Sequence, residues 1–332
     1  MLDRSCRKSA CVLIAALVCS FGAAAQWTWT PQTGRWINLK NLPKETPELQ
    51  VEFARSLMLD GKYDKALRET GKFKEFYGDS EYADDNQFLR GEIKMAQGNL
   101  RGAANEFQQV IAGYPNTDLY DKAIGKEYEI GDGLYALGEK RIDKKWRLYR
   151  KRPFKHAIEV YSTVIESKPF TQEAAQAQYK VGLCRFTRKE YTTAAYEYRR
   201  VVEDYPDSEW TDDASHGLAV CYYTASLPPE YDQTPSALAT RAIDDFAERY
   251  PADARLEDLN IKRVEMRENM ARQRLNVARF YERRRKFKAA RISYQLVLEQ
   301  FADTRAAEDA KEWLAKYPAP ETPVAEGPKT GT

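Results

Sequence analysis

The sequence predicts an all-α solenoid of about six helical hairpins. One pattern recurs six times: an aromatic residue or Leu, an Ala three residues later, and apolar residues 4, 7, 8 and 11 positions beyond that Ala. These offsets form one stripe of an α-helix, and the Pro that often follows is a helix stop signal. The anchoring residues are Ala66, Ala103, Ala157, Ala194, Ala239 and Ala290.

A second helix precedes each of these amphipathic helices. Twelve residues before the anchor, four of the six copies carry a small residue, and an apolar residue stands three positions earlier still. A small side chain lets a partner helix approach closely, so each copy is a helical hairpin. The small residues are Ala54, Gly91, Gly182 and Ala278.

The first 25 residues have the composition of an export signal. A basic start is followed by an apolar run over residues 10–19 and by three Ala residues at 23–25. Ten apolar residues span about 15 Å as a helix, roughly half of a bilayer core. We therefore expect a signal peptide over residues 1–25, with cleavage between Ala25 and Gln26.

A lipoprotein signal is the alternative interpretation of this segment. In that case Cys19 would carry the lipid and become the first mature residue, although lipoprotein signals favour a small residue where Val18 stands. After cleavage at Ala25, the remaining cysteines are Cys184 and Cys221. Each lies in an apolar helical stretch, and the sequence leaves open whether they are bridged or free.

The charge balance argues against a globally basic protein. The chain has 52 Lys and Arg against 50 Asp and Glu, and removal of residues 1–25 takes away three basic residues and one acidic residue, leaving 49 of each. A mature net charge of zero is not that of a nucleic-acid-binding protein. We expect no nucleic-acid partner.

Three of the six tryptophans cluster ahead of the repeats. Trp27, Trp29 and Trp36 lie in residues 26–45, with a spacing that is too irregular for a helix. We expect an extended arm here. Its rings either cap the exposed edge of the first hairpin or form an aromatic strip that lies on a partner or at a membrane interface.

Two stretches concentrate positive charge. Residues 138–156 carry net +7, which suits either a solvated helix face or contact with anionic lipid or an acidic partner. Residues 262–291 hold twelve Lys or Arg against three Glu. Because Arg pairs bidentately with carboxylates, the docking candidates in this stretch are Arg283, Arg284, Arg285 and Arg291.

Catalytic and cofactor motifs are missing from the sequence. His156 and His216 have no neighbouring nucleophile or carboxylate motif with catalytic spacing, so we expect no enzyme, cofactor, metal or small-molecule substrate. Residues 318–332 are rich in Pro, Gly and Thr, and we expect a disordered tail there.

The repeat resembles the tetratricopeptide repeat. Gly-x-Tyr-x-x-Ala, a later Phe or Tyr and a terminal Tyr-Pro set its frame, and the anchors are 37, 54, 37, 45 and 51 residues apart. The shortest spacing exceeds the usual period of about 34 residues. The three longest spacings, 54, 45 and 51, indicate insertions. The resemblance covers residues 46–317 and implies a protein that binds other proteins.

A narrower resemblance is to the BamD family. An export signal, Tyr-Pro-x-Ser/Thr repeat ends and the last repeat, with residues 276–283 and 301–304, carry it. It implies a non-enzymatic scaffold at the periplasmic face of the outer membrane, with the barrel-assembly subunit and unfolded outer-membrane clients as partners and possible peripheral membrane contact. The last repeat would lie toward the barrel subunit. Periplasmic coordinators of cell-wall synthesis or cell division share the repeat and the export signal and remain the alternative, while an uncharacterised enzyme is a remote one.

Overall fold

The computed structural model describes residues 27–30, 35–38, 42–142 and 151–318, and within them the chain forms two short strands and thirteen helices. The strands are β1 (Trp27–Thr30) and β2 (Arg35–Asn38). The helices are α1 (Pro47–Leu59), α2 (Tyr63–Phe76), α3 (Ala83–Ala96), α4 (Leu100–Gly113), α5 (Tyr120–Ile142), α6 (Arg152–Ser167), α7 (Gln172–Thr187), α8 (Tyr191–Asp204), α9 (Thr211–Ala225), α10 (Thr234–Arg249), α11 (Leu256–Arg283), α12 (Phe287–Phe301) and α13 (Arg305–Lys316).

The helices from α1 to α12 follow the six predicted hairpins in order, and α13 follows the last one. Every anchoring Ala lies in the second helix of its hairpin and is fully buried. The predicted all-α tetratricopeptide-repeat solenoid is therefore confirmed. Complete burial at six equivalent positions explains the pattern, because a larger side chain there would push the paired helices apart.

The chain divides into two compact units, residues 1–134 and 135–332. The first unit has its own apolar core, in which Val51, Phe73, Leu89 and Ile93 are buried. In its second hairpin, Phe88 meets Phe107 edge to face with ring centroids 5.1 Å apart. The small residue predicted for close approach is Gly91, and a Cβ atom placed there would lie 2.7 Å from the Phe107 ring.

The second unit packs its hairpins in the same way. The Tyr198 ring lies between Gly182 on α7 and Gly217 on α9, where added Cβ atoms would lie 2.7 and 2.9 Å from the ring. Cys184 and Cys221 are both buried, and neither forms a disulfide within the described residues, which answers the question that the sequence left open. Burial raises the pKa of Cys221 to about 12, which keeps its thiol protonated.

The turns inside four of the hairpins share one backbone conformation. The residue two positions before the second helix has a positive φ of 72° at Gly61, 74° at Gly98, 65° at Lys189 and 58° at Arg285. Glycine adopts this left-handed region without steric cost, whereas Lys and Arg adopt it only at a steric cost. The turn geometry of the repeat is thus kept where its preferred residue is absent.

Three of the hairpins also share a polar contact between their two helices. In each, a Gln amide on the first helix donates to a Glu carboxylate 19 residues later on the second. The repeated separation makes this pairing a property of the hairpin, which the apolar pattern alone does not reveal. The Nε2 to Oε2 distances are 3.0 Å for Gln50 and Glu69, 2.6 Å for Gln87 and Glu106, and 2.6 Å for Gln178 and Glu197.

The Trp-rich segment differs from the expected extended arm. Its strands β1 and β2 pair antiparallel, with Trp29 directly opposite Trp36. The irregular Trp spacing therefore belongs to two extended strands that pair with each other, and the prediction of an extended arm did not include this pairing.

Candidate functional site

The strongest candidate surface lies at the turn between α11 and α12. We call it the C-terminal basic patch: Arg283, Arg284, Arg285, Lys286 and Lys288, together with the rings of Phe280 and Phe287. All five cations are exposed, and none makes an ion pair within the described part of the chain. Four of them are consecutive, because the turn that reverses the chain consists of basic residues.

Exposed aromatic rings accompany these cations. Phe280 and Phe287 are 46% and 48% exposed, and the Arg284 guanidinium lies 5.5 Å from the centroid of the Phe280 ring. A guanidinium over an aromatic face keeps its planar donors available to a carboxylate. Arg and aromatic residues are also the types enriched in protein interfaces. The patch thus combines positive charge with apolar area that is exposed to solvent.

The base of the patch is held by stacked rings. Tyr294 stacks on Trp313 with centroids 4.3 Å apart, and its hydroxyl donates to Glu282 at 2.7 Å. Burial, followed by the hydrogen bond to the Glu282 carboxylate, raises the Tyr294 pKa, so this hydroxyl keeps the proton that it donates. Phe287 stacks on Tyr317 at 6.0 Å. The α11–α12 turn is therefore held by ring contacts with Trp313 of α13 and with Tyr317, which follows that helix.

Arg291 has a different role from the other three docking candidates. It is half-buried, and its guanidinium donates a hydrogen bond to the backbone carbonyl of Tyr317. That contact ties α12 to the end of α13. Arg283, Arg284 and Arg285 remain exposed, so the structure brings all four predicted residues to one end of the last hairpin but gives Arg291 an internal partner.

Most of the earlier arginines of the same basic stretch form ion pairs, and Arg274 is the exception among the described residues. Arg263 pairs with Asp244 at 2.8 Å, and Arg267 pairs with Asp303 and holds the pKa of that carboxyl below its ordinary value. Arg272 pairs with Glu268 at 2.8 Å. The dense positive charge of residues 262–291 therefore separates into structural cations along α11 and unpaired cations at its end.

A second candidate surface is a groove of about 630 Å³ between the first two hairpins. It lies within the first unit and is floored by Phe73, with Asn86, Gln87 and Gln109 along its walls. The Asn86 side chain is almost completely buried, and its Oδ1 atom has no hydrogen-bond partner among the described residues. Amide groups of this kind match the backbone of an extended peptide. The sequence pattern did not predict this groove.

Of the predicted aromatic contact residues, Trp29 is 51% exposed. In the backbone register, Trp36 is the partner of Trp29, and Trp27 pairs with Asn38 at the other end of the strands. Cys19, Ala25 and Gln26 lie outside the described residues, as do residues 143–150 of the first basic stretch and residues 319–332 of the predicted tail.

Neither histidine has catalytic surroundings in the structure. His156 shares a hydrogen bond of 2.9 Å between its Nδ1 and Glu159 on the exposed side of α6. His216 packs edge to face on Phe246, and burial lowers its pKa. Among the described residues, no group of three or more His, Cys, Asp or Glu side chains is arranged to hold a metal ion. None of the described helices combines the length and apolar character that crossing a membrane requires.

Comparison with known proteins gives matches in both units. The family model for outer membrane lipoproteins of the YfiO type matches residues 140–318, and a tetratricopeptide-repeat model matches residues 85–117. The outer membrane protein assembly factor BamD of Caulobacter vibrioides is 21% identical over 178 residues, which are 53% of this chain and 56% of that protein. The chain thus spans about half the length of this curated relative. Proteins of the tetratricopeptide-repeat and BamD-like families are non-enzymatic scaffolds that bind other proteins.

Solved structures of tetratricopeptide-repeat proteins also match the chain. A protein of this class from Cytophaga hutchinsonii is 18% identical with a TM-score of 0.37, covering 80% of this chain and 88% of that one. A thermophilic one from Thermus thermophilus is 15% identical with a TM-score of 0.32, covering 67% of this chain and 98% of that one.

Proposed function

Because the chain belongs to the family of outer membrane lipoproteins whose model matches residues 140–318, we propose that it is a BamD-type scaffold in the assembly of outer-membrane β-barrel proteins. It would act at the periplasmic face of the outer membrane and bind the barrel-assembly subunit. Family membership, the expected export signal and the repeat of helical hairpins support this proposal.

The observation that carries the proposal is the C-terminal basic patch. It lies inside the family-matched region, and its five exposed cations have no ion pair within the described part of the chain. Unpaired charge at a rigid turn has no stabilising task in the chain itself, whereas it is suited to an acidic partner surface. The exposed Phe280 and Phe287 rings supply the apolar contact that a purely electrostatic encounter lacks.

Unfolded outer-membrane clients would bind elsewhere, in the groove of the first unit. An extended client segment would place its backbone groups against the exposed amide of Gln109 in the groove wall. Ala112 and Tyr114, which also line the groove, would contact an apolar client side chain. The N-terminal end would be either Gln26, after signal cleavage, or acylated Cys19, and the mass of the mature N-terminal peptide distinguishes these two.

The test is purification of the full chain from its own membranes in detergent, followed by identification of the co-purifying proteins. We expect the barrel-assembly subunit. Recovery of cell-wall synthases or division proteins without that subunit would overturn the proposal and favour the coordinator alternative.

A matched pair of variants then tests the patch itself. Reversing charge with Arg284→Glu should weaken binding to the purified periplasmic domains of the subunit by about tenfold, mainly through slower association. Arg274→Glu is the control, since Arg274 is an exposed cation on the same helix without an ion pair within the described residues. Equal weakening by both changes would show that net charge, and not the patch, governs binding.

A further inference from the structure

Phe170, in the loop between α6 and α7, is both exposed and strained. Its side chain is 80% exposed, the largest fraction among the large apolar residues of the described chain, and its φ is +62°. A bulky residue rarely adopts a left-handed conformation, because its Cβ atom crowds the backbone carbonyl. Solvent exposure of an aromatic ring adds a second cost. Neither cost is explained by packing inside the protein.

The same loop position in the other hairpins is occupied differently. It is the third residue of the Tyr-Pro-x-Ser/Thr repeat end, and elsewhere it is small or polar. None of these equivalent residues has a positive φ. Phe170 therefore departs from the repeat in residue type and in conformation at once. The equivalent residues are Asp79, Asn116, Asp207, Ala252 and Asp303.

The loop holds the Phe170 backbone in place on both sides. Thr171 caps α7 by accepting a hydrogen bond from the backbone N–H of Ala174 at 3.2 Å, and its hydroxyl donates to the Lys168 carbonyl at 2.9 Å. The nearest ring is that of the buried Tyr205, whose centroid is 6.4 Å away. The exposed ring is thus presented from a fixed base, which limits the entropy that a partner must remove on binding.

The surroundings of the ring are acidic. Residues 166–173 and 203–209, which form this loop and the adjacent one, contain six acidic residues and the single base Lys168. Five of these acids are exposed and make no ion pair within the described part of the chain: Glu166, Glu173, Glu203, Asp207 and Glu209. Such a surface repels an anionic bilayer and attracts positively charged protein surface.

We propose that Phe170 is the anchor of a second docking surface, and that it inserts into an apolar pocket rimmed by Lys or Arg on a partner protein. This surface is separate from the C-terminal basic patch. Because successive helices run antiparallel, loops between hairpins and turns within hairpins lie at opposite ends of the helices of the second unit. The proposal holds whether the partner is the barrel-assembly subunit or another envelope protein.

The experiment replaces Phe170 with the photoreactive aromatic residue p-benzoylphenylalanine in the full chain, expressed in its own cells. Irradiation should give an adduct with one protein, and peptide mapping should place the cross-link in an apolar pocket flanked by Lys or Arg. The control carries the same photoreactive residue at Ala252, the equivalent position of another loop in the same unit. We expect at least about fivefold less adduct there, because a buried anchor dominates binding over a rim position.

Several outcomes would overturn the proposal: no adduct, equal adducts at both positions, an adduct with lipid, or a cross-link to an acidic surface. A second measurement uses Phe170→Gly and Phe170→Asn, which relieve the left-handed strain. Both variants should raise the denaturation midpoint of the second unit and should compete at least about fivefold less well with the wild-type chain for the cross-linked partner. A lowered midpoint would show that the ring stabilises the fold, which would also contradict the proposal.

Discussion

Replacing Gly91 with Ala should destabilise the first unit, against the ordinary effect of such a change in a helix. A Cβ atom at Gly91 would lie 2.7 Å from two carbons of the Phe107 ring, closer than van der Waals contact allows. The ring cannot swing aside, since it is fully buried and Phe88 packs against it with centroids 5.1 Å apart. The two helices of the hairpin must therefore separate.

Two opposing contributions set the size of the effect. Ala is favoured over Gly in a helix interior by about 1 kcal/mol. Overpacking of a well-filled core costs about 1–3 kcal/mol. The net result for Gly91→Ala is a loss of up to about 2 kcal/mol in unfolding free energy. Gly71→Ala is the matched control, because an added Cβ atom in the middle of α2 meets nothing within 4 Å. That variant should gain about 1 kcal/mol.

Urea denaturation followed by circular dichroism measures both variants. Combining Gly91→Ala with Phe107→Leu, which shortens the ring that clashes, should cost less than the sum of the two single changes by about 0.5–3 kcal/mol. Gly71→Ala should add independently to Phe107→Leu. If Gly91→Ala stabilises the unit as much as Gly71→Ala does, close helix approach is not what selects a small residue in the repeat.

Two further expectations concern the strained residues of two turns and the ion pairs of the buried Glu106. Arg285→Gly and Lys189→Gly should each stabilise the second unit by about 1 kcal/mol in the same denaturation assay, because both residues hold a left-handed conformation that glycine adopts freely; an unchanged midpoint would contradict the strain argument. Burial acts to raise the pKa of Glu106, but hydrogen bonds from Arg90 and Lys94 outweigh it and hold the pKa below its ordinary value. The folded pKa is thus below the unfolded one, so Glu106 contributes stability above about pH 4.5 that is lost as the pH falls further. Glu106→Gln should lower the unfolding free energy at pH 7 and flatten its decline between pH 5 and about pH 3, and an unchanged acid profile would refute the assignment.

The helical hairpins were predictable because their signal is repeated. Each anchoring Ala is fully buried, and the small residues Gly91 and Gly182 meet aromatic rings as the spacing required. The ribbon was not predictable as a paired structure, since Trp29 and Trp36 become neighbours only once the two strands pair. Likewise, the Gln and Glu residues 19 positions apart appear as unrelated polar residues until the helices are placed side by side.

The docking residues were predictable as a region, but their individual roles were not. Arg267 and Arg283 belong to the same basic stretch, yet the first pairs with Asp303 and the second is exposed without an ion pair in the described chain. Sequence spacing does not show this difference, because Asp303 lies on the far side of α12 in the chain. Phe170 escaped notice for the opposite reason. A single Phe in a loop has no periodic context, and only its φ and exposure set it apart.

A net charge near zero conceals how charge is distributed in the second unit. Along α11, cations such as Arg263 and Arg267 are neutralised by acids from α10 and from the α12–α13 loop, so they add little to the field outside the protein. Among the described residues, one cluster of unpaired charge is basic and lies at the α11–α12 turn, and another is acidic and lies around Phe170, at the opposite end of the helices. The basic end therefore suits an acidic partner surface, and the acidic end suits a basic one. Each association rate should depend on salt. Two partners that recognise these surfaces would not compete for the same end of the scaffold.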